Sequence, residues 1–278
     1  MCSTVYLLSL GLLSTVSTVL AQPGTSWCPP VHLVFARDTN EPPQGVEGAT
    51  PAEFVRAADK FWSRGYGAAG YSTLTNLTAL IPSDGAVVAA DGYPVQYPAN
   101  GSGCSSEEVG TDDMVNRVMN MAFACPDTKF AIGGHGEGGI ATIRAISALP
   151  PEDLEKVIAV IMFGSSGCPD EVRDRCRSYC NAGDTACEDS PPVPVCQTER
   201  RATTDTAEII ARPAETKERR NSEQKILTCD GPDPPERGHE VGTGLDPHTA
   251  YHQDGFYVEA AACYIFNRWR VSSEDSFG

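Results

Sequence analysis

The chain has 278 residues, with 21 basic and 37 acidic side chains, so its formal net charge at pH 7 is −16. A charge of this sign repels nucleic acid, excludes it as a partner, and favours neutral ligands such as polysaccharides, waxes or proteins. The length fits one large domain, or one domain with a long excursion.

The N-terminal segment predicts a secretion signal. An apolar run from Val5 to Leu20 ends at the small residue Ala21, which suits a signal-peptidase site, so we assign residues 1–21 to the signal. No Lys or Arg precedes the run, and an uncleaved membrane anchor is the alternative. No later segment approaches the ~20 apolar residues of a membrane span. We therefore expect a secreted, extracellular protein whose domain covers residues 22–278.

Strand and helix patterns alternate after the signal. Val31–Ala36 is a short apolar run with β-branched and aromatic side chains, which predicts a central strand. Thr50–Glu53 is a capping box that opens an amphipathic helix through Trp62, and Gly65 closes that helix.

Two extended segments follow, Ala86–Ala90 and Pro94–Ala99, separated by a turn at Asp91–Tyr93. The second segment is expected to lie in the sheet. Thr111 is predicted to cap the next helix, whose apolar side runs from Met114 to Ala122.

An apolar run beginning at Phe130 stops in glycines and continues as a helix predicted over Gly139–Ala148. Val157–Phe163 is the clearest buried strand, because it is a continuous apolar run. This alternation predicts an α/β fold with a mainly parallel central sheet and helices on both faces.

After these strands the composition changes to charge, proline and cysteine. We predict an insertion at about residues 188–244, a surface excursion tied at its base if Cys196 and Cys229 pair. It either arches over the site or is a disordered insertion. Asp254–Arg270 predicts the last helix.

Ten of the 11 cysteines follow the signal, an even number that is typical of disulfides in a secreted chain. Spacing alone leaves their pairing open. Two sequons, beginning at Asn76 and Asn100, predict N-glycosylation if the host secretes through an endoplasmic reticulum.

The glycine-rich turn after Phe130 allows three hypotheses. Gly134, Gly136 and Gly139 match the dinucleotide fingerprint, but the next strand does not end in the required acid. His135 and Glu137 match the H-x-E of zinc deaminases, but the cysteine spacing is wrong. We therefore expect no metal and no cofactor. The third hypothesis is a nucleophile elbow, G-x-S-x-G, with Gly136 where the serine would stand.

A nucleophile elbow needs an acid and then a histidine later in the chain, and both occur. Asp184 lies between Cys180 and Cys187, whose disulfide would hold a small rigid loop. His248 lies just before the last helix.

Several short motifs stand in a fixed order along the chain. They are Cys28 before the first strand, Ala36–Glu41 at its end, Tyr97–Ala99, Cys125–Thr128, Gly134–Gly138, Met162–Gly164, Cys180–Cys187 and His248–Tyr251. In this order they resemble the cutinase and acetylxylan esterase family of small secreted serine esterases, and the resemblance runs from Cys28 to the last helix.

The resemblance implies a disulfide-stapled α/β-hydrolase with a catalytic triad at Gly136, Asp184 and His248. It places the oxyanion hole at the backbone N–H groups of Thr39 and Glu137.

The resemblance also implies two disulfides, Cys28–Cys125 and Cys180–Cys187. The expected partner is an ester-bearing polymer or lipid-like ligand, for example a cell-wall polysaccharide, and the expected state is a monomer.

The chain departs from the family at the site itself. Gly136 replaces the serine, Asp38 replaces a glycine of the oxyanion turn, and Glu137 replaces a glutamine. Asp184 and His248 are also 64 positions apart (248 − 184), farther than in compact members. We predict a catalytically impaired, ligand-binding pseudoenzyme. The alternatives are an active esterase in which His248 and Asp184 activate a water, and an ordinary esterase in which the glycine is a sequence variant.

Overall fold

The computed structural model describes residues 28–39, 41, 65–83, 89–165, 167–187 and 227–274. The predicted signal, the helix predicted through Trp62 and most of the predicted insertion lie outside these residues.

A single six-stranded sheet forms the centre of the described structure, with every neighbouring pair of strands parallel. The strand order is β2-β1-β3-β4-β5-β6. All residues of β1 and β4 are buried, as the continuous apolar sequence of β4 and the mostly apolar sequence of β1 predict for central parallel strands. The strands are β1 Val31–Ala36, β2 Asp91–Pro94, β3 Lys129–His135, β4 Val157–Phe163, β5 Cys176–Asn181 and β6 Arg237–His239.

Helices cover both faces of the sheet. Alternate residues of β1 point to opposite sides, with Leu33 and Phe35 in one core cluster and Val34 and Ala36 in the other. The helices are α1 Gly67–Leu80, α2 Cys104–Ala124, α3 Glu137–Ala148, α4 Pro151–Leu154 and α5 Phe256–Glu274. Helices α1 and α5 contribute to the first cluster, and α2 and α3 to the second. The α/β fold class is confirmed.

The second strand lies earlier than predicted. The strand is Asp91–Pro94, the segment expected to be a turn, and the Pro94–Ala99 prediction is wrong. A Cβ on Gly92 would lie 2.6 Å from the Leu33 carbonyl oxygen, so this turn-like glycine instead allows a close approach to β1. Proline is tolerated because β2 is an edge strand.

Helix α2 begins at Cys104, so Thr111 is not its N-cap as predicted. The Thr111 hydroxyl donates to the Glu107 carbonyl at 2.8 Å, four residues earlier in the same helix. Threonine can satisfy its hydroxyl in this way inside a helix as well as at a cap, which is why the sequence misplaced the start.

Helix α1 follows Gly65 directly and was missed. Its threonine hydroxyls also bond carbonyls four residues earlier, as Thr73 does to Ala69 at 2.9 Å. Gly70 lets the helix approach the sheet, because a Cβ there would lie 2.3 Å from the Phe35 ring. Packing against β1 therefore stabilises a segment of poor intrinsic helix propensity.

The strand β5 was not predicted. Arg237–His239 lies within the insertion that was predicted to be a surface excursion, but it forms the edge strand β6. The disulfides between described residues are Cys28–Cys125, Cys168–Cys176, Cys180–Cys187 and Cys229–Cys263. The tentative Cys196–Cys229 pairing is therefore wrong. Among the described residues no helix combines the length and hydropathy needed to cross a membrane.

Candidate active site

The site lies at the carboxyl edge of the sheet, where parallel strands bring distant segments together. Asp38 and Thr39 follow β1, Gly136 follows β3, and Asp184 follows β5. His248 reaches them from the loop before α5. The structure thus brings together the predicted acid, the predicted histidine and the glycine that was predicted to stand at the nucleophile position.

A sharp turn joins β3 to α3. Gly136 is the only residue between them, and its φ of 51° and ψ of −116° place it in a conformation that favours glycine. A Cβ on Gly134 would lie 2.2 Å from Gly138, and one on Gly138 would lie 2.1 Å from the Ala36 carbonyl oxygen. The flanking glycines therefore allow the close packing that a nucleophile elbow requires.

Asp184 and His248 form a hydrogen-bonded pair, with His248 Nδ1 3.0 Å from Asp184 Oδ1. The Tyr251 hydroxyl donates to the other carboxylate oxygen of Asp184. Burial opposes ionisation of Asp184, but the bonds from His248 and Tyr251 outweigh it and hold the pKa of Asp184 below its ordinary value. The Cys180–Cys187 disulfide brackets this loop.

Asp38 occupies the space that a side chain at position 136 would take. A Cβ built on Gly136 would lie only 1.8 Å from Asp38 Oδ1. That oxygen accepts the Glu137 backbone N–H at 2.9 Å, and Asp38 Oδ2 lies 3.0 Å from His248 Nε2. The Asp38 carboxylate, which follows β1, thus contacts both His248 and the Glu137 backbone N–H. These are the two groups that a serine nucleophile would need.

His248 lies between two carboxylates. The hydrogen bond to Asp184, and then the one to Asp38, raise the pKa of His248 to about 10 despite partial burial. Burial raises the pKa of Asp38, but the bond to His248 outweighs this and the net pKa is lowered. At neutral pH His248 is therefore an imidazolium with both ring nitrogens bonded.

The predicted oxyanion residues lie beside the turn but contact each other. The Thr39 hydroxyl donates to Glu137 Oε2 at 2.6 Å, and the same oxygen accepts the Gly101 N–H at 3.1 Å. The Glu137 N–H, predicted as an oxyanion donor, is bonded to Asp38 instead.

His135 is a further buried member of the site, to which the sequence reasoning assigned no role. It is 2% exposed, and its Nε2 lies 2.7 Å from the His248 carbonyl oxygen. Its Nδ1 lies 3.3 Å from Glu41 Oε2, and Glu41 also accepts the Asp38 N–H at 3.0 Å. Burial lowers the pKa of His135, but Glu41 outweighs it and the net pKa is raised.

The two sequons occupy different environments. Asn100 is exposed in the loop before α2, and its Oδ1 accepts the Ser102 N–H at 3.0 Å. Asn76 is half-buried within α1. Glycosylation stays a prediction at both positions, and the exposed loop is the better acceptor.

A sequence profile described as Cutinase matches residues 48–212, more than half of the chain. The chain belongs to the cutinase family. Phospholipase Culp4 of Mycobacterium tuberculosis is 26% identical over 194 residues, which cover 63% of this chain and 74% of the relative. A cutinase of Botryotinia fuckeliana is 29% identical over 165 residues, covering 58% and 71% respectively.

Among solved structures, an iodinated acetylxylan esterase is similar with a TM-score of 0.48 and 15% identity, over 87% of this chain and 99% of that one. Family membership therefore rests on the sequence profile, and the α/β fold on the strand order and helix layers described above.

Proposed function

We propose that this cutinase-family protein forms no acyl-enzyme and acts as a secreted binding protein for an ester-bearing polymer or lipid-like ligand. The observation that carries the proposal is the position of Asp38, which fills the place of a side chain at position 136. The acid and histidine remain in place, but the group they would activate is absent.

Ester hydrolysis by a triad needs a nucleophile, a histidine free to take its proton, and unoccupied oxyanion donors. Gly136 supplies no nucleophile, and Asp38 takes both the His248 Nε2 contact and the Glu137 N–H. A carboxylate at this position would also repel a developing oxyanion. Loss of a triad serine alone can lower turnover on the order of 10⁶-fold.

The retained His248–Asp184 pair, at 3.0 Å, favours one alternative, an esterase in which this pair activates a water. That mechanism requires His248 Nε2 to face the water, whereas Nε2 contacts Asp38. The binding proposal therefore has more support.

Hydrolysis of p-nitrophenyl butyrate tests the proposal on wild type, Gly136→Ser, Asp38→Gly and the double variant. We expect turnover only from the double variant, at least about 100-fold above either single variant, because the serine and the Asp38 carboxylate compete for one space. Adding His248→Ala to the double variant should abolish the activity.

Turnover by the wild type that is lost in His248→Ala would refute the binding-only function and support the water mechanism. The ligand class is tested by depletion of the wild type onto insoluble cutin, acetylated xylan and triglyceride emulsions. Failure to bind all three would refute that part of the proposal.

Secretion as a monomer belongs to the same proposal. The disulfides described above support an oxidising compartment. N-terminal sequencing of the protein from culture medium and size-exclusion chromatography with light scattering test these two points.

A further inference from the structure

Three side chains from distant parts of the chain converge beside the glycine turn. Asp38, His135 and His248 each offer one ligand atom, and these atoms lie within 4.8 Å of one another. His135 is 2% and Asp38 8% exposed, so the cluster is not a set of solvated surface groups. We propose that these three residues bind one divalent transition-metal ion of the zinc class.

The surrounding hydrogen bonds orient both imidazoles for this role. His248 Nδ1 is bonded to Asp184, which leaves Nε2 as its ligand atom. His135 Nε2 is bonded to the His248 carbonyl, which leaves Nδ1. Histidines that bind metals commonly donate their other N–H to a carboxylate or a backbone carbonyl in this way. Asp38 is held similarly, since Glu137 N–H bonds Oδ1 and leaves Oδ2 for the ion.

The charge of the site favours a cation. Three carboxylates, those of Asp38, Glu41 and Asp184, contact the two imidazoles. Because His248 is an imidazolium without a metal, binding must first release its ring proton. With both rings then neutral the three carboxylates give the group a formal charge of −3, and a dication reduces it to −1. Buried charges of one sign are costly unless they are paired or bind a metal.

Two of the three ligand atoms already lie close to the spacing found around a four-coordinate ion, whereas the whole cluster spans up to 4.8 Å, so His135 Nδ1 must move inward. Bonds of about 2.0–2.1 Å in a tetrahedron separate ligand atoms by about 3.3 Å. Asp38 Oδ2 and His248 Nε2 are 3.0 Å apart and need to separate by only a few tenths of an ångström. His135 Nδ1 must exchange its 3.3 Å contact with Glu41 for the ion.

Gly136 makes this arrangement possible, because a Cβ there would collide with Asp38 Oδ1 at 1.8 Å. Two imidazoles and one carboxylate suit zinc, copper or nickel better than magnesium or calcium. Three protein ligands leave one position open to water or to a bound molecule. The inference goes beyond the proposed function, which does not depend on it.

The test is calorimetric titration of chelator-treated protein with Zn²⁺ in excess Mg²⁺, which occupies surface carboxylates. We expect one Zn²⁺ per chain. His135→Gln and His248→Gln should each weaken binding at least about 100-fold, and Asp184→Asn about 10–100-fold. His239→Gln is the matched control, because His239 pairs with Asp254 outside the cluster and its loss should leave binding unchanged.

Imidazole ¹⁵N spectra of the wild type provide a readout that needs no variant. Zn²⁺ should shift the His135 and His248 resonances and leave those of His239 in place. Absence of binding, or equal binding by wild type and both cluster variants, would overturn the metal site and leave the binding function standing. Zinc-dependent ester hydrolysis that is lost in His135→Gln would support the metal site and refute the binding-only function.

Discussion

At the scale of single residues, Gly136 and Asp38 are a complementary pair. Their side-chain spaces overlap, since a Cβ on Gly136 would meet Asp38 Oδ1 at 1.8 Å. A serine at position 136 and an aspartate at position 38 are therefore incompatible in this arrangement. We therefore predict that substitutions at positions 136 and 38 act on each other.

We predict that Gly136→Ala destabilises the protein by about 2 kcal/mol or more, from overpacking and a positive φ together. In the Asp38→Gly background the same change should cost markedly less. Urea unfolding of the four proteins gives the coupling energy. Gly103→Ala is the control for φ alone, because Gly103 has a φ of 63° and no atom of the described residues lies within 4 Å of its Cβ position. If the losses caused by Gly136→Ala and Asp38→Gly simply add in the double variant, the two side chains do not compete for one space.

The raised pKa of His248 predicts a pH dependence of stability. The stabilisation is fully present below the ordinary pKa of 6.5, and it is lost as the pH rises through the folded-state value of about 10. The free energy of unfolding, measured with urea in metal-free buffer, should therefore fall between these pH values. His248→Gln should show a shallower fall. Equal slopes for the two proteins would show that His248 does not hold its proton in this way.

At the scale of elements, the loop after β5 and the loop before α5 are joined through Asp184. The Tyr251 hydroxyl donates to Asp184 and also accepts the Asn181 backbone N–H at 3.2 Å. Tyr251, in the same loop as His248, thus joins that loop to the end of β5. The position of His248 thus depends on contacts between two elements that are distant in sequence.

We predict that Tyr251→Phe lowers the free energy of unfolding by about 1–3 kcal/mol, because it leaves buried polar groups unpaired. Tyr179→Phe is the matched control. Tyr179 is 1% exposed, and its hydroxyl makes no hydrogen bond to any described residue. Thermal unfolding of both variants makes the comparison. A similar loss in each would attribute the effect to removal of a buried hydroxyl in general rather than to the bond with Asp184.

At the scale of the whole molecule, the disulfides connect segments at very different separations. Cys28–Cys125 spans 97 positions and joins the start of β1 to the end of α2. Cys168–Cys176 spans eight positions. The chain-entropy model relates the stabilisation of a disulfide to the length of loop that it closes.

We therefore predict that replacing Cys28 and Cys125 by alanine costs about 2 kcal/mol more than replacing Cys168 and Cys176. Guanidinium unfolding of the two double variants under non-reducing conditions measures the difference. Equal losses would indicate that local packing, rather than loop closure, determines the contribution of each disulfide.

The fold class could be predicted from the sequence, because apolar strand patterns such as that of β4 alternate with helix patterns, as in a parallel sheet with helices on both faces. The sequence also led to the prediction that Gly136, Asp184 and His248 share one site, because their motifs are local and stand in a fixed order. Elements whose local composition conflicts with their structure, such as β2 and α1, could not be predicted. Both elements are stabilised by close packing against β1, which Gly92 in β2 and Gly70 in α1 allow.

Which side chain fills the space beside Gly136 could be read only from the fold. Asp38 and Gly136 are 98 positions apart (136 − 38), and no local pattern reports whether a carboxylate after β1 reaches the turn after β3. Parallel pairing of these strands brings their carboxyl ends together, and Asp38 then contacts Glu137 N–H and His248. The sequence marked both residues as departures from the family, and their proximity in the fold makes them a single site.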